Sequence, residues 1–169
     1  VTVFDLKTHE VIKKIAFTNN GEEDIAMNME LDSSGGKLYV PAMGAGTLNV
    51  INTGTLENEK TITLHKDVDS AALRPSDVTI DKSLQEIYVS SQGEMDRQSG
   101  VSKGNAGVTV YDLNTGEYKK IIQFGKQTLS ITADEKNDLV YATDFATGKV
   151  GVIDARTGTV SAEVNAGKN

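Results

Sequence analysis

The chain contains no cysteine and no tryptophan, and only two prolines and two histidines in 169 residues. Without cysteine there is no disulfide, no thiol nucleophile and no thiolate metal site. With histidine at positions 9 and 65 alone, a multi-histidine metal centre cannot be assembled. A hydrolytic triad would have to join His65 to Asp67 or Asp69, and no nucleophile-elbow motif accompanies them. No stretch approaches the roughly 18 consecutive apolar residues that a membrane-spanning helix needs, so no membrane span is expected. No basic-then-apolar leader opens the sequence, and a segment preceding Val1 is expected. Basic residues are outnumbered, 17 against 24 acidic ones, for a formal charge of −7. That charge opposes long-range attraction to nucleic acid while leaving a local basic patch possible.

What the sequence does have is internal repetition. One segment recurs as VTVFDLKTHEV from Val1, LNVINTGTLEN from Leu48, VTVYDLNTGEY from Val108 and VGVIDARTGTV from Val150. Each copy is a short β-branched run ending in Asp5, Asn52, Asp112 or Asp154, with Thr8, Thr55, Thr115 or Thr157 three residues later. The side-chain oxygen of Asp or Asn accepts from nearby backbone amides and starts a turn, so each copy reads as a β-hairpin. His9 stands at the turn position that Gly116 and Gly158 hold in two other copies, and reads as a turn residue.

A second segment precedes three of these hairpins, as MELDSSGGKLYV, VTIDKSLQEIYV and ITADEKNDLVYA, with an aspartate seven residues before a tyrosine each time. Together the two segments make a unit of four strands, A to D, and nothing reads as a helix. Apolar residues on both strand faces suit a sheet packed between two others. The expected fold is therefore all-β, a β-propeller of four-stranded antiparallel blades. A β-sandwich leaves the repetition unexplained.

About three and a half blades are expected: strands C and D over 1–17, then blades over 18–64, 65–124 and 125–169, all in one propeller domain. Such an arrangement leaves open faces and strand edges. It is expected either to be part of a propeller about twice as large or to be completed by a second copy.

The strand B copies YVPA from Tyr39, YVSS from Tyr88 and YATD from Tyr141, with VGVID in the last strand C, resemble the YVTN family of β-propeller repeats. Arg74-Pro75 ahead of a strand A, with the long segments around it, is similar to the YncE-like bacterial members. Pro41 and Asp144 depart from the strict motif. The resemblance implies seven blades and export to the periplasm or cell surface. It also implies two functions besides general binding: capture of single-stranded DNA and, in related folds, lactone hydrolysis.

The departure from regularity locates a candidate site. Strand B tyrosine and strand C aspartate or asparagine are 13 residues apart in two blades but 24 apart from Tyr88 to Asp112. The added length lies between Ser91 and Gly107. The connection from His65 to Asp77 is also long and should emerge at the same end of the same blade, where loops vary on a rigid scaffold. Together the two offer His65, Arg74, Gln92, Glu94, Asp96, Arg97 and Lys103 as ligand-binding candidates. Arg74 should face the central channel or pair with a carboxylate of the next blade. SGVSKGNAG from Ser99 reads as a mobile stretch.

Three further features carry less. The acidic run Glu22, Glu23 and Asp24 lacks the alternating oxygen spacing of a calcium loop. GAGT from Gly44 has no following helix to bind a phosphate and reads as a flexible connection, so no cofactor is expected. No catalytic residue and no metal ligand is assigned.

The leading functional expectation is a non-enzymatic binding or scaffolding propeller that engages a protein or small-molecule partner through its loop-bearing face. Single-stranded DNA binding would use Lys66, Arg74, Arg97 and Lys103 with Phe145 as a stacking ring. A lactonase-like hydrolase would use the central channel.

Overall fold

The computed structural model describes residues 1–19, 21–64, 74–96, 98–99, 102–104 and 106–167. For 19, 22, 94, 95 and 102–104 it describes the backbone alone. His65, Lys66, Asp67, Asp69 and Arg97 lie outside the described residues.

Among the described residues every regular element is a strand. The first pair, β1 (Thr2–Phe4) and β2 (Val11–Lys14), forms a two-stranded hairpin, and β3 (Thr18–Asn19) pairs with β4 (Glu22–Glu23) beyond it. Then come three four-stranded antiparallel sheets in simple sequential order. The first is β5 (Glu30–Asp32), β6 (Lys37–Ala42), β7 (Thr47–Asn52) and β8 (Glu57–Thr63). The second runs β9 (Pro75–Asp81), β10 (Glu86–Ser91), β13 (Gly107–Asp112) and β14 (Tyr118–Gln123), with β11 (Glu94–Met95) and β12 (Ser102–Gly104) paired between β10 and β13. The third is β15 (Thr128–Asp134), β16 (Leu139–Asp144), β17 (Lys149–Asp154) and β18 (Thr159–Asn165). The molecule is a partial β-propeller, and the three sheets are blades of it. The hairpin β1–β2 has the sequence of the outer two strands of such a blade.

Turn chemistry explains why the chain reverses where it does. The Asp5 carboxylate accepts from the amides of Lys7 and Thr8, Asn52 from Gly54 and Thr55, Asp112 from Asn114 and Thr115, and Asp154 from Thr157. These backbone donors hold the pKa values of Asp5, Asp112 and Asp154 below 3.8. At the inner turns Asp32 accepts from Gly35 and Asp81 from Leu84 in the same way.

Cores lie between sheets rather than within one. Tyr39, Leu48, Val50 and Ile62 of the first blade pack on Val78, Ile80, Ile87, Val89 and Tyr111 of the second. Tyr88, Val108, Val110, Ile122 and Phe124 of the second pack on Ile131, Val140, Ala142 and Ile153 of the third. Gly151 stands where the first two blades carry Asn49 and Thr109, because a Cβ there would lie 2.7 Å from the Phe124 ring. Buried aromatic and aliphatic side chains of this kind each contribute about 1.5–3 kcal/mol.

The inner strands β9 and β15 are joined by side chains instead of a hydrogen-bond ladder. The Ile131 amide donates to Asp77 Oδ2 at 3.1 Å and the Ala133 amide to Thr79 Oγ1 at 3.3 Å. The Ser76 hydroxyl donates to the Thr128 and Leu129 carbonyls. Inner-edge backbone groups that would lack a partner strand thereby gain polar partners.

Candidate functional site

The blades have two ends, and the structure puts different chemistry at each. The end that carries the β10–β13 connection holds those residues singled out by the sequence that are described: Arg74, Gln92, Glu94, Asp96 and Lys103. Between β6 and β7, and between β16 and β17, the chain crosses in four residues, 43–46 and 145–148. Between β10 and β13 it takes residues 92–106 and forms the β11–β12 ribbon, with Glu94 opposite Gly104 and Met95 opposite Ser102. The stretch expected to be mobile thus contains a paired strand, Ser102–Gly104. Glu94 and Lys103 lie on the two strands of this ribbon.

The scaffold closes beneath the ribbon. β10 and β13 keep an unbroken register from Glu86 opposite Asp112 to Ser91 opposite Gly107. Gly107 is where the chain re-enters the sheet: its φ is +155°, and a Cβ would lie 2.3 Å from the Ile122 carbonyl oxygen. Only glycine fits there.

Arg74 and Gln92 meet at the foot of the ribbon. The Gln92 amide donates to the Arg74 carbonyl at 3.0 Å, and the Gln92 side chain is buried. The Arg74 guanidinium contacts the Met43 sulfur of the neighbouring blade at 3.2 Å. Among the described residues no carboxylate pairs with it. Asp96 caps the ribbon's turn by accepting from the Gln98 amide at 2.9 Å.

Two other features of this end are structural. The Asp24 carboxylate accepts from the amides of Ile25, Gly44 and Ala45, each at 2.7 Å. The acidic run and the GAGT connection, separate in the sequence, therefore form one anchored corner. Among the described residues no three His, Asp or Glu side chains are gathered to hold a metal ion.

The opposite end carries a cleft that the sequence did not announce. It has a volume of about 390 Å³ and is lined by Glu30, Asp32, Thr79, Lys82, Thr132 and Glu135 among others. All belong to the ends of the three inner strands and the turns that follow them. Lys82 ties the three blades: its ammonium donates to Asp32 and Ser34 of the first, and its amide donates to Glu135 Oε1 of the third at 3.1 Å.

Burial and the nearby Asp77 and Glu135 raise the pKa of Glu30 above 4.5. Burial also raises Asp77, against the opposing pull of the Ile131 and Val78 amides. For Asp32 burial acts upward too, but Lys82 and the Gly35 amide outweigh it and the net shift is down. A repeat-aligned column did carry a signal, since Lys82 and Glu135 each directly follow the repeat aspartate.

No family model matches this chain, and no curated protein matches it. Among solved structures it is similar to Kuenenia stuttgartiensis hydrazine synthase, with a TM-score of 0.65 and 13% identity. The match covers 83% of this chain and 35% of that one, so the chain spans about a third of that structure's length. At that identity the likeness supports the propeller architecture and says nothing of chemistry.

Proposed function

We propose that this chain is a non-enzymatic binding propeller of the YVTN, YncE-like kind, exported to the periplasm or cell surface, whose ribbon-bearing end engages a protein or small-molecule partner. One observation carries this reading. A single blade spends residues 92–106 on a connection that its two siblings make in four, and folds it into a separate two-stranded ribbon above an uninterrupted sheet. Length that the scaffold does not need is available for recognition. Arg74, Gln92 and Asp96 sit at or on this structure, with Glu94 and Lys103 on its strands.

The test compares the parent chain with a variant in which residues 93–105 are replaced by a four-residue turn. Both are immobilised and exposed to an envelope extract. The species retained by the parent should be absent from the variant, and an identical retained set overturns the proposal. Salt-sensitive retention of a single-stranded oligonucleotide would replace it with nucleic-acid binding. Lactone hydrolysis abolished by Arg74→Ala would replace it with an enzymatic role.

A further inference from the structure

One position of the repeat is filled differently in each blade. Ala42, Ser91 and Asp144 close the segments YVPA, YVSS and YATD, at the ends of β6, β10 and β16. Val89, two residues before Ser91, packs on the first blade, so Ser91 faces that blade as well. In the third blade the position is fully used, because Asp144 accepts from the Gln127 amide at 2.7 Å and from the Thr147 hydroxyl. In the second blade the Ser91 hydroxyl has no hydrogen-bond partner, although the residue is fully buried. A buried hydroxyl left without a partner is costly, and folded proteins rarely leave one so.

Arg74 is the counterpart of Gln127. The carbonyl of each accepts from the amide just beyond the second strand of its blade, Gln92 in one case and Phe145 in the other. The half-buried Arg74 projects toward the same blade boundary as Ser91 and meets the Met43 sulfur there. A thioether is a weak acceptor, and a guanidinium carries five N–H donors in a fixed fork. Among the described residues no carboxylate pairs with Arg74. The acid of the facing corner, Asp24, is committed to the amides of Ile25, Gly44 and Ala45. A cation without a counter-ion thus lies beside a buried hydroxyl without an acceptor, and an anionic oxygen would satisfy both.

We propose that Arg74 and Ser91 form a carboxylate-binding subsite between the first and second blades, at the foot of the ribbon, which takes an acidic group of the partner. The inference rests on the reading of the ribbon-bearing end as a recognition surface. The third blade argues for a carboxylate, since it supplies one from its own chain at the position of Ser91. In the second blade serine replaces that carboxylate, and a cation stands where the third blade has the uncharged Gln127. A planar carboxylate accepts two parallel N–H groups from a guanidinium and keeps lone pairs for the Ser91 hydroxyl. Ser91 is closed to solvent in the free chain, so seating the ligand displaces what covers it, and satisfying the hydroxyl offsets that cost. The formal charge of −7 opposes a polyphosphate as the source of the anion.

Titration of the full chain with succinate tests this, followed by the nuclear magnetic resonance signals of the Arg74 Nε–H and the Gln92 amide. Succinamide and inorganic phosphate are the comparison probes. Succinate should shift both signals saturably, and succinamide should shift neither. Ser91→Ala puts the first blade's own residue at this position, so the fold should survive, as circular dichroism would verify. It should weaken succinate at least threefold. Arg74→Lys keeps the charge but loses the fork, and should weaken it at least tenfold at the Gln92 signal. The absence of a saturable shift overturns the proposal, as does an equal response to succinamide, a Ser91→Ala chain that binds like the parent, or phosphate bound as tightly as succinate. A chain with residues 93–105 replaced by a turn keeps both residues and separates the two readings. Succinate bound there with extract capture unchanged would overturn the ribbon reading alone. Capture lost there, with no succinate bound by the parent, would overturn this inference alone.

Discussion

The ammonium of Lys82 donates to the carboxylate of Asp32 across the boundary between the first and second blades, beside the cleft at their inner turns. This pair is placed where the blades meet and not within either, so it reports on how the sheets are held together. Asp32 is buried, but the Lys82 and Gly35 donors outweigh burial and hold its pKa below 3.8. A depressed carboxylate pKa contributes stability that is present above the unfolded value and lost as the pH falls through the folded one. Asp32→Asn should therefore cost about 1–2 kcal/mol at neutral pH, with the exposed side of the ion pair discounted for screening. The variant's acid limb should also be shallower. Urea unfolding at a series of acid pH values checks this, and parallel profiles for parent and variant would contradict it.

Glu30 should behave in the opposite sense. Burial, Asp77 and Glu135 raise its pKa above 4.5, so its ionisation is harder in the folded state than in the unfolded one. Stability is then lost as the pH rises through the window just above 4.5. Glu30→Gln removes that loss. The variant should be more stable than the parent at neutral pH and equal to it once the pH is well below the carboxylate range. A variant that is less stable at neutral pH would show that Glu30 is held by favourable contacts instead.

Gly107 is predicted to be intolerant of any side chain. With φ at +155° and a Cβ position 2.3 Å from the Ile122 carbonyl, alanine must displace β14 or β13. Gly107→Ala should cost about 3 kcal/mol, toward the upper end for single substitutions. Thermal unfolding reads this directly. A loss under about 0.5 kcal/mol, the scale of an ordinary surface change, would mean that the ribbon is not anchored at this point.

The outer turns offer a stabilising substitution. Leu56 has φ +58° where Gly116 and Gly158, at the corresponding turn position, have +71° and +70°. The left-handed conformation costs a β-carbon-bearing residue roughly 1–2 kcal/mol, and Leu56 is partly exposed with no core to lose. Leu56→Gly should gain about 1 kcal/mol in denaturant unfolding, net of the added freedom of the unfolded chain. No gain, or a loss, would show that the turn is set by its hydrogen bonds and not by backbone preference.

The sequence was most legible where the chemistry is local. Asp5, Asn52, Asp112 and Asp154 reach amides two or three residues away, so the turns and the four-stranded repeat can be read from spacing alone. Features made by contact between blades were not legible. Asp24 finds Gly44 and Ala45 twenty residues on, and Lys82 finds Asp32 fifty residues back. The acidic run and the glycine connection therefore read as unrelated segments when they form one corner. The cleft was missed because its lining comes from three inner strands at the end opposite the long loop, and only their assembly brings Glu30, Lys82 and Glu135 together. Within the long loop, the short strands Glu94–Met95 and Ser102–Gly104 lack the alternating pattern that marks a strand.

The central claim is that recognition resides in the ribbon and that the blades beneath it stand without it. Replacing residues 93–105 by a four-residue turn, then measuring calorimetric unfolding and envelope-extract capture on the same preparation, tests both halves together. The β10–β13 register predicts an unfolding transition within about 0.5 kcal/mol of the parent, the scale of a surface change, together with loss of the captured partner. An intact transition with capture unchanged would contradict the account.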